Sequence, residues 1–246
     1  MANNKPPIPF FAARKVVQKL FHKVTDVTVE GSENIPEEGP YVVICNHLNW
    51  SDPFYLYTIL PPEPKMIFVA EFDGIYDKWW NKGFIDFMGK PILPIDRSDP
   101  RSRIKTAKSM MKVLKDGNVL AIFPEGRLGH KEGDLFPFHV GAFGIARKLK
   151  VPVLPIAMAG TRKLSYKKPI HFKIGKPTTC RSDESTEDFA RRMALTVKEL
   201  MPEYPGDGPS PYRLNWMTGL CQGELRPFEG ERDLIINNKR KDKKRA

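Results

Sequence analysis

The chain has 246 residues, 41% of them hydrophobic, enough to bury one substantial core and suited to a single α/β domain with appendages. Lysine and arginine outnumber aspartate and glutamate by 40 to 29, and the net charge of +11 favours an anionic partner: a lipid headgroup, a phosphorylated substrate, a nucleic acid or an acidic carrier protein. Three scattered cysteines, Cys45, Cys180 and Cys221, exclude a disulfide framework and a four-ligand zinc site, and no run of about eighteen apolar residues is present to span a bilayer.

In chain order, Phe10 to Val24 predicts a helix, because at about 100° per residue Phe10, Ala13, Val17, Leu20, Phe21 and Val24 share an arc opposite Lys15, Lys19 and Lys23. Such a helix is either an interfacial anchor, apolar face in lipid and lysines on headgroups, or an ordinary surface helix packed on the domain. Six apolar runs follow: "YVVIC" (41–45), "MIFVA" (66–70), "PILPI" (91–95), "VLAIF" (119–123), "VPVLPIAMA" (151–159) and "IHFKI" (170–174). They are of strand length, rich in β-branched residues and mostly non-alternating, as strands buried on both faces are, and they predict a largely parallel mixed sheet flanked by helices. Pro94 and Pro155 predict edge or bulge positions.

Between the third and fourth runs, Asp99, Pro100 and Gly117 mark the cap, first turn and end of a helix. Ile104, Ala107, Met111 and Leu114 should face the sheet, leaving Arg101, Lys105, Lys108, Lys112 and Lys115 as a cationic stripe that is either a solvated face or a docking surface. Ser185, Glu187 and Asp188 open a packing helix to about Leu200. "YPGDGPSPY", Tyr204 to Tyr212, reads as a linker, and "NKRKDKKRA" as a basic tail. The expected organisation is an N-terminal helix (1–30), a main domain (31–203) and a linker with tail (204–246).

Two polar clusters interrupt this pattern. "NHLNWSD" places His47 and Asp52 just after the first strand; five helical residues turn about 500°, so the two side chains meet only if His47 lies in a loop and Asp52 caps the helix that Pro53 begins. The pair is then either a base with its orienting carboxylate or a capping aspartate beside an incidental histidine. "FPEGR" sets Glu125, Gly126 and Arg127 at another strand end, and "PILPIDR" delivers Arg97 from a third. Carboxyl ends of parallel strands are where such sheets bind ligands, and arginines there suit an anionic substrate. Neither Gly-x-Ser-x-Gly nor another nucleophile motif accompanies them, and His22, His130, His139 and His171 have no partner arguable from spacing.

These blocks resemble the glycerolipid acyltransferase family: "NHLNWSD" (46–52), "GKPILPIDR" (89–97), "FPEGR" (123–127) and "VPVLPIAMAG" (151–160) stand in the family's order. The nearest resemblance is to 1-acylglycerol-3-phosphate acyltransferases, and it implies a glycerol-3-phosphate acyltransferase-like α/β fold. It further implies acyl transfer from acyl-CoA or acyl carrier protein to a lysophospholipid hydroxyl, with His47 as general base and Asp52 holding its tautomer. Arg97, Glu125, Gly126 and Arg127 would hold the glycerol phosphate, with Asn46 and Pro155 supporting the site. Neither metal nor cofactor is implied beyond the thioester co-substrate. The family loop often places Ser or Thr between the glycine and arginine, whereas Arg127 directly follows Gly126. The expected partner is an anionic membrane surface rather than a nucleic acid. The protein would be peripheral on the cytoplasmic face, held by the N-terminal helix, Trp79-Trp80, the lysine stripe and the tail.

Overall fold

The computed structural model describes residues 8–71, 91–96, 99–209 and 212–214; Arg97, Trp79, Trp80 and the basic tail lie outside them. The chain runs α1 (Ile8–Val24), β1 (Thr25–Glu30), β2 (Tyr41–Cys45), α2 (Asp52–Ile59), β3 (Met66–Glu71) and β4 (Ile92–Ile95). It continues with α3 (Pro100–Lys115), β5 (Val119–Ile122), α4 (Gly141–Leu149), β6 (Val153–Ala159), β7 (Lys168–Ile174) and α5 (Thr186–Leu200). All six apolar runs are strands, and they form one sheet with β1 in the order β1-β7-β6-β2-β5-β3-β4. Every neighbouring pair is parallel except β6–β7. Helices α1 and α2 cover one face, around Phe21, Tyr55 and Phe172; α3, α4 and α5 cover the other, around Leu114, Phe143 and Phe189. This is a single α/β domain.

The topology determines what reaches the carboxyl edge. Strands β6, β2 and β5 are adjacent and parallel, so the loops that leave them emerge side by side. Because β7 runs against β6, and β1 runs with β7, both of those strands begin at the same edge. Asn46 tightens it: its side-chain amide donates to Met158 O (3.0 Å) and accepts from Met158 N (2.8 Å), continuing the β2–β6 ladder one step past Cys45.

Packing refines several expectations. Part of the apolar face of α1 packs on the domain: Val17 and Phe21 are buried, and Phe21 stacks edge-on against Tyr55 at 4.7 Å, while Leu20 on the same face is 41% exposed. Arg14 also ties α1 to the carbonyl of Leu60 at the end of α2. On α3 the buried stripe is Thr106, Met110 and Leu114, which turns Ile104 out to 59% exposure. Asp99 caps that helix through the N–H groups of Arg101 and Ser102. Pro94 lies on the edge strand β4, but Pro155 lies in the central strand β6. There it costs no ladder bond to β2: Ile156 pairs with Ile174 and Val153 with Thr178, so one extra residue within 175–177 bulges opposite it.

The supposed linker is also packed. Lys168, fully buried, donates to Tyr204 Oη (2.8 Å) and Asp207 Oδ1 (3.2 Å), and Leu214 N donates to Leu164 O. A buried ammonium needs such partners, and this segment supplies them.

Gly160 closes β6 at φ 99°, where a Cβ would collide with the Pro169 carbonyl oxygen. Gly160→Ala is therefore expected to lower unfolding free energy by about 2 kcal/mol, read by urea denaturation, through combined backbone strain and overlap.

Candidate active site

His47 stands in the loop leaving β2 with its side chain 16% exposed. Its Nδ1 lies 2.8 Å from Asp52 Oδ2, the same oxygen that accepts the N–H groups of Leu48 (2.7 Å) and Asn49 (2.8 Å). Asp52 is thus the first residue of α2, but its carboxylate points back to the preceding loop rather than capping the amides ahead of it. Asn49 braces the turn by accepting from Ser51 N and Oγ. A carboxylate facing Nδ1 requires a proton there, which leaves Nε2 with the lone pair of a base. The imidazole lies against the Phe123 ring, centroids 4.0 Å apart and planes at 15°, so its plane is fixed as well as its tautomer. The nearby Cys45 thiol is raised well above its ordinary pKa by burial, chiefly, and is inert as a nucleophile.

Glu125 is placed differently from expectation. Its Oε1 accepts from His47 N (2.9 Å) and its Oε2 from Phe136 N (2.6 Å), and the side chain is buried. Each oxygen accepts a backbone N–H, so Glu125 holds the loop that carries the base. Burial pushes its pKa up to about 8 against the pull of those two N–H groups. Gly126 takes φ 67°, a conformation suited to glycine at this sharp turn. Arg127 is half-buried with its guanidinium 5.2 Å from the Phe136 ring centre. Pro155 pairs with Ile44, one residue before the end of β2, and its carbonyl accepts from Gly175 N (2.9 Å).

Three residues outside the recognised motifs complete the frame. Gly129 N donates to His47 O (2.6 Å). Glu132 accepts from Gly160 N and Arg162 N, both at 3.0 Å. Arg162 in turn accepts from Asn49 Nδ2 through its carbonyl (3.3 Å) and donates from Nε to His130 O (3.1 Å). The loops after β2, β5 and β6 are therefore tied to one another around a single imidazole. Among the described residues no group of three or more His, Cys, Asp or Glu could hold a metal ion.

Residues 26–159 match the family described as Acyltransferase. The chain belongs to that acyltransferase family. It is 36% identical over 137 residues to the chloroplastic 1-acyl-sn-glycerol-3-phosphate acyltransferase BAT2 of Brassica napus, a match covering 55% of this chain and 38% of that protein. With the 1-acyl-sn-glycerol-3-phosphate acyltransferase of Bacillus subtilis it shares 32% over 156 residues, 61% of this chain and 73% of the relative. The match thus spans under two fifths of the Brassica protein but nearly three quarters of the bacterial one. The crystal structure of the 1-acyl-sn-glycerophosphate acyltransferase PlsC from Thermotoga maritima has the same fold, with a TM-score of 0.65, 23% identity and 77% coverage of each chain. In the acyltransferase-family chain described here, the two motif acids divide their labour: Asp52 orients the imidazole and Glu125 its backbone.

The raised carboxyl of Glu125 has a signed consequence. The folded state keeps this proton between about pH 4.5 and 8, where the unfolded chain releases it, so the group's stabilising contribution is complete below about 4.5 and is lost as pH rises towards 8. The stability of wild type relative to the non-titrating Glu125→Gln should fall across that window, by at most about 1.4 kcal/mol per pH unit, in denaturant melts at stepped pH. Glu125→Gln also sets an NH2 against a backbone N–H, so it should cost about tenfold or more in kcat.

Proposed function

We propose that the protein transfers a fatty acyl group from a thioester, acyl-CoA or acyl carrier protein, to the sn-2 hydroxyl of 1-acylglycerol 3-phosphate, giving phosphatidic acid. The observation that carries this reading is the His47–Asp52 pair with its Nε2 facing away from the carboxylate and no nucleophilic side chain motif beside it. The named activities of the relatives support the choice of acceptor.

In the proposed reaction Nε2 of His47 takes the hydroxyl proton as the oxygen attacks the thioester carbonyl. The imidazolium that forms is stabilised through Nδ1–H by Asp52, which keeps its negative charge throughout. Collapse of the tetrahedral species breaks the C–S bond, and the thiolate leaves with the proton from Nε2, so the base is regenerated. Direct transfer needs no acyl-enzyme. The ties among the three loops hold Nε2 in one place, which is the contribution of orientation. Arg97 and Arg127 remain the proposed grips on the acceptor phosphate.

The test is to incubate the protein with oleoyl-CoA or oleoyl carrier protein and lysophosphatidic acid, and to follow phosphatidic acid by mass spectrometry. Loss of about 10²–10⁴-fold is expected for His47→Ala, and a comparable loss for Asp52→Asn, whose amide misorients the ring. Wild type without product on either donor, or His47→Ala as active as wild type, would sink the proposal.

A further inference from the structure

Val17 and Phe21 commit part of the apolar face of α1 to the domain, and a second surface suited to a membrane adjoins the base. The loop from Gly160 to Lys167 leaves β6 beside His47, its Arg162 bonded to Asn49. Residues 212–214 add to it as a short antiparallel stitch: Tyr166 N donates to Tyr212 O (2.9 Å), and Ser165 bridges Arg213. The end of α1 joins from the other side, where Lys167 N donates to Val24 O. Three segments far apart in sequence therefore form one rim at the carboxyl edge of the sheet.

This rim exposes two aromatic rings, Tyr166 at 43% and Tyr212 at 76%, and it is basic. Lys23 and Lys163 are exposed, with no acidic partner among the described residues, as is Lys131 in the adjoining loop after β5, whereas Lys167 faces Asp26 (3.3 Å) and Arg213 faces Asp207 (3.9 Å). Leu164 and Leu214 are buried and joined by a backbone hydrogen bond, as are Tyr166 and Tyr212 by another, so the rings stand on anchored backbone. Tyrosines with an apolar body and polar tip, flanked by unpaired lysines, match the interface of an anionic bilayer. The helix α3 is the weaker fit: its apolar Ile104 stands alone, and Lys112 is paired with Asp116 at 2.7 Å.

We infer that the rim formed by the β6–β7 loop, residues 212–214 and the end of α1 is the surface that seats on anionic lipid, and that it presents membrane-held acceptor to His47. This rests on the acyl-transfer reading for its second half only; lipid contact is tested separately. The rim is tied to the His47 loop through the Asn49–Arg162 bond, so lipid seated there lies at the same edge of the sheet as the base.

The experiment uses the full chain and the variant Lys163→Glu/Tyr166→Ser/Tyr212→Ser, all three positions outside the base and its ties. Sedimentation is measured with phosphatidylcholine vesicles, with and without phosphatidylglycerol. Turnover is measured on vesicle-embedded lysophosphatidic acid and on a short-chain, water-soluble 1-acylglycerol 3-phosphate. A single lysine near an anionic surface is worth about fivefold in partitioning, so reversing one and removing both rings should weaken binding to anionic vesicles at least about tenfold. Turnover of embedded acceptor should fall in step while turnover of the soluble acceptor stays at the wild-type rate. Unchanged vesicle binding in the triple variant overturns the inference, as does loss of binding only in Val16→Ser/Leu20→Ser on α1 or Lys105→Glu/Lys108→Glu on α3. A wild type that binds vesicles through the rim yet turns over neither acceptor would instead fault the acyl-transfer reading and leave the rim standing.

Discussion

One carboxylate oxygen organises the centre of this protein. Oδ2 of Asp52 takes the imidazole N–H of His47 and the backbone N–H groups of Leu48 and Asn49, while Oδ1 makes no hydrogen bond among the described residues. The loop between β2 and α2 can close only where those three donors converge, so the fold of the turn and the tautomer of the base are one event. In a fully buried position, loss of any of the three leaves a polar group without its partner, which makes the geometry stiff.

The same solution recurs outward from that point. Glu125 joins the β2 loop to the β5 loop, Glu132 joins the β5 loop to the β6 loop, and Asn46 joins β2 to β6, each through backbone groups. Parallel strands deliver these loops side by side but leave them polar and free of regular partners. Acids and amides from one loop satisfy the main chain of the next. The antiparallel turn into β7 adds a further effect, because it brings the start of β7, the start of β1 and the returning segment at 212–214 to the same edge as the base.

Much of this was legible in the residues and some was not, for physical reasons. Strands buried on both faces carry unbroken apolar runs, so β2 to β7 were visible, and His47 with Asp52 stood out because polar residues stopped one of those runs. The edge strand β1, "TDVTVE", has too few apolar residues and two acids, and α4, "GAFGIARKL", is short and holds two glycines, so neither announced itself. Glu125 was visible as a site residue, but its role was not: its partners are a main-chain N–H 78 positions away and another at Phe136, and main-chain donors leave no mark in a sequence. Glu132 and Arg162 belong to no motif for the same reason. Both prolines were legible, because a missing N–H is tolerated only at an edge or a bulge: Pro94 lies on the edge strand and Pro155 opposite a one-residue bulge.

That reliance on main-chain donors bears on how such a site can drift. Leu48, Phe136 and Arg162 each meet an acid through N–H, a group present in every amino acid but proline. With respect to these bonds the side chains at such positions can be exchanged, under packing constraints alone, while the acids opposite them cannot. Among distant members of a lineage built this way, the scaffold of the base would survive as isolated acids within otherwise divergent loops, and proline at a donor position would mark its loss.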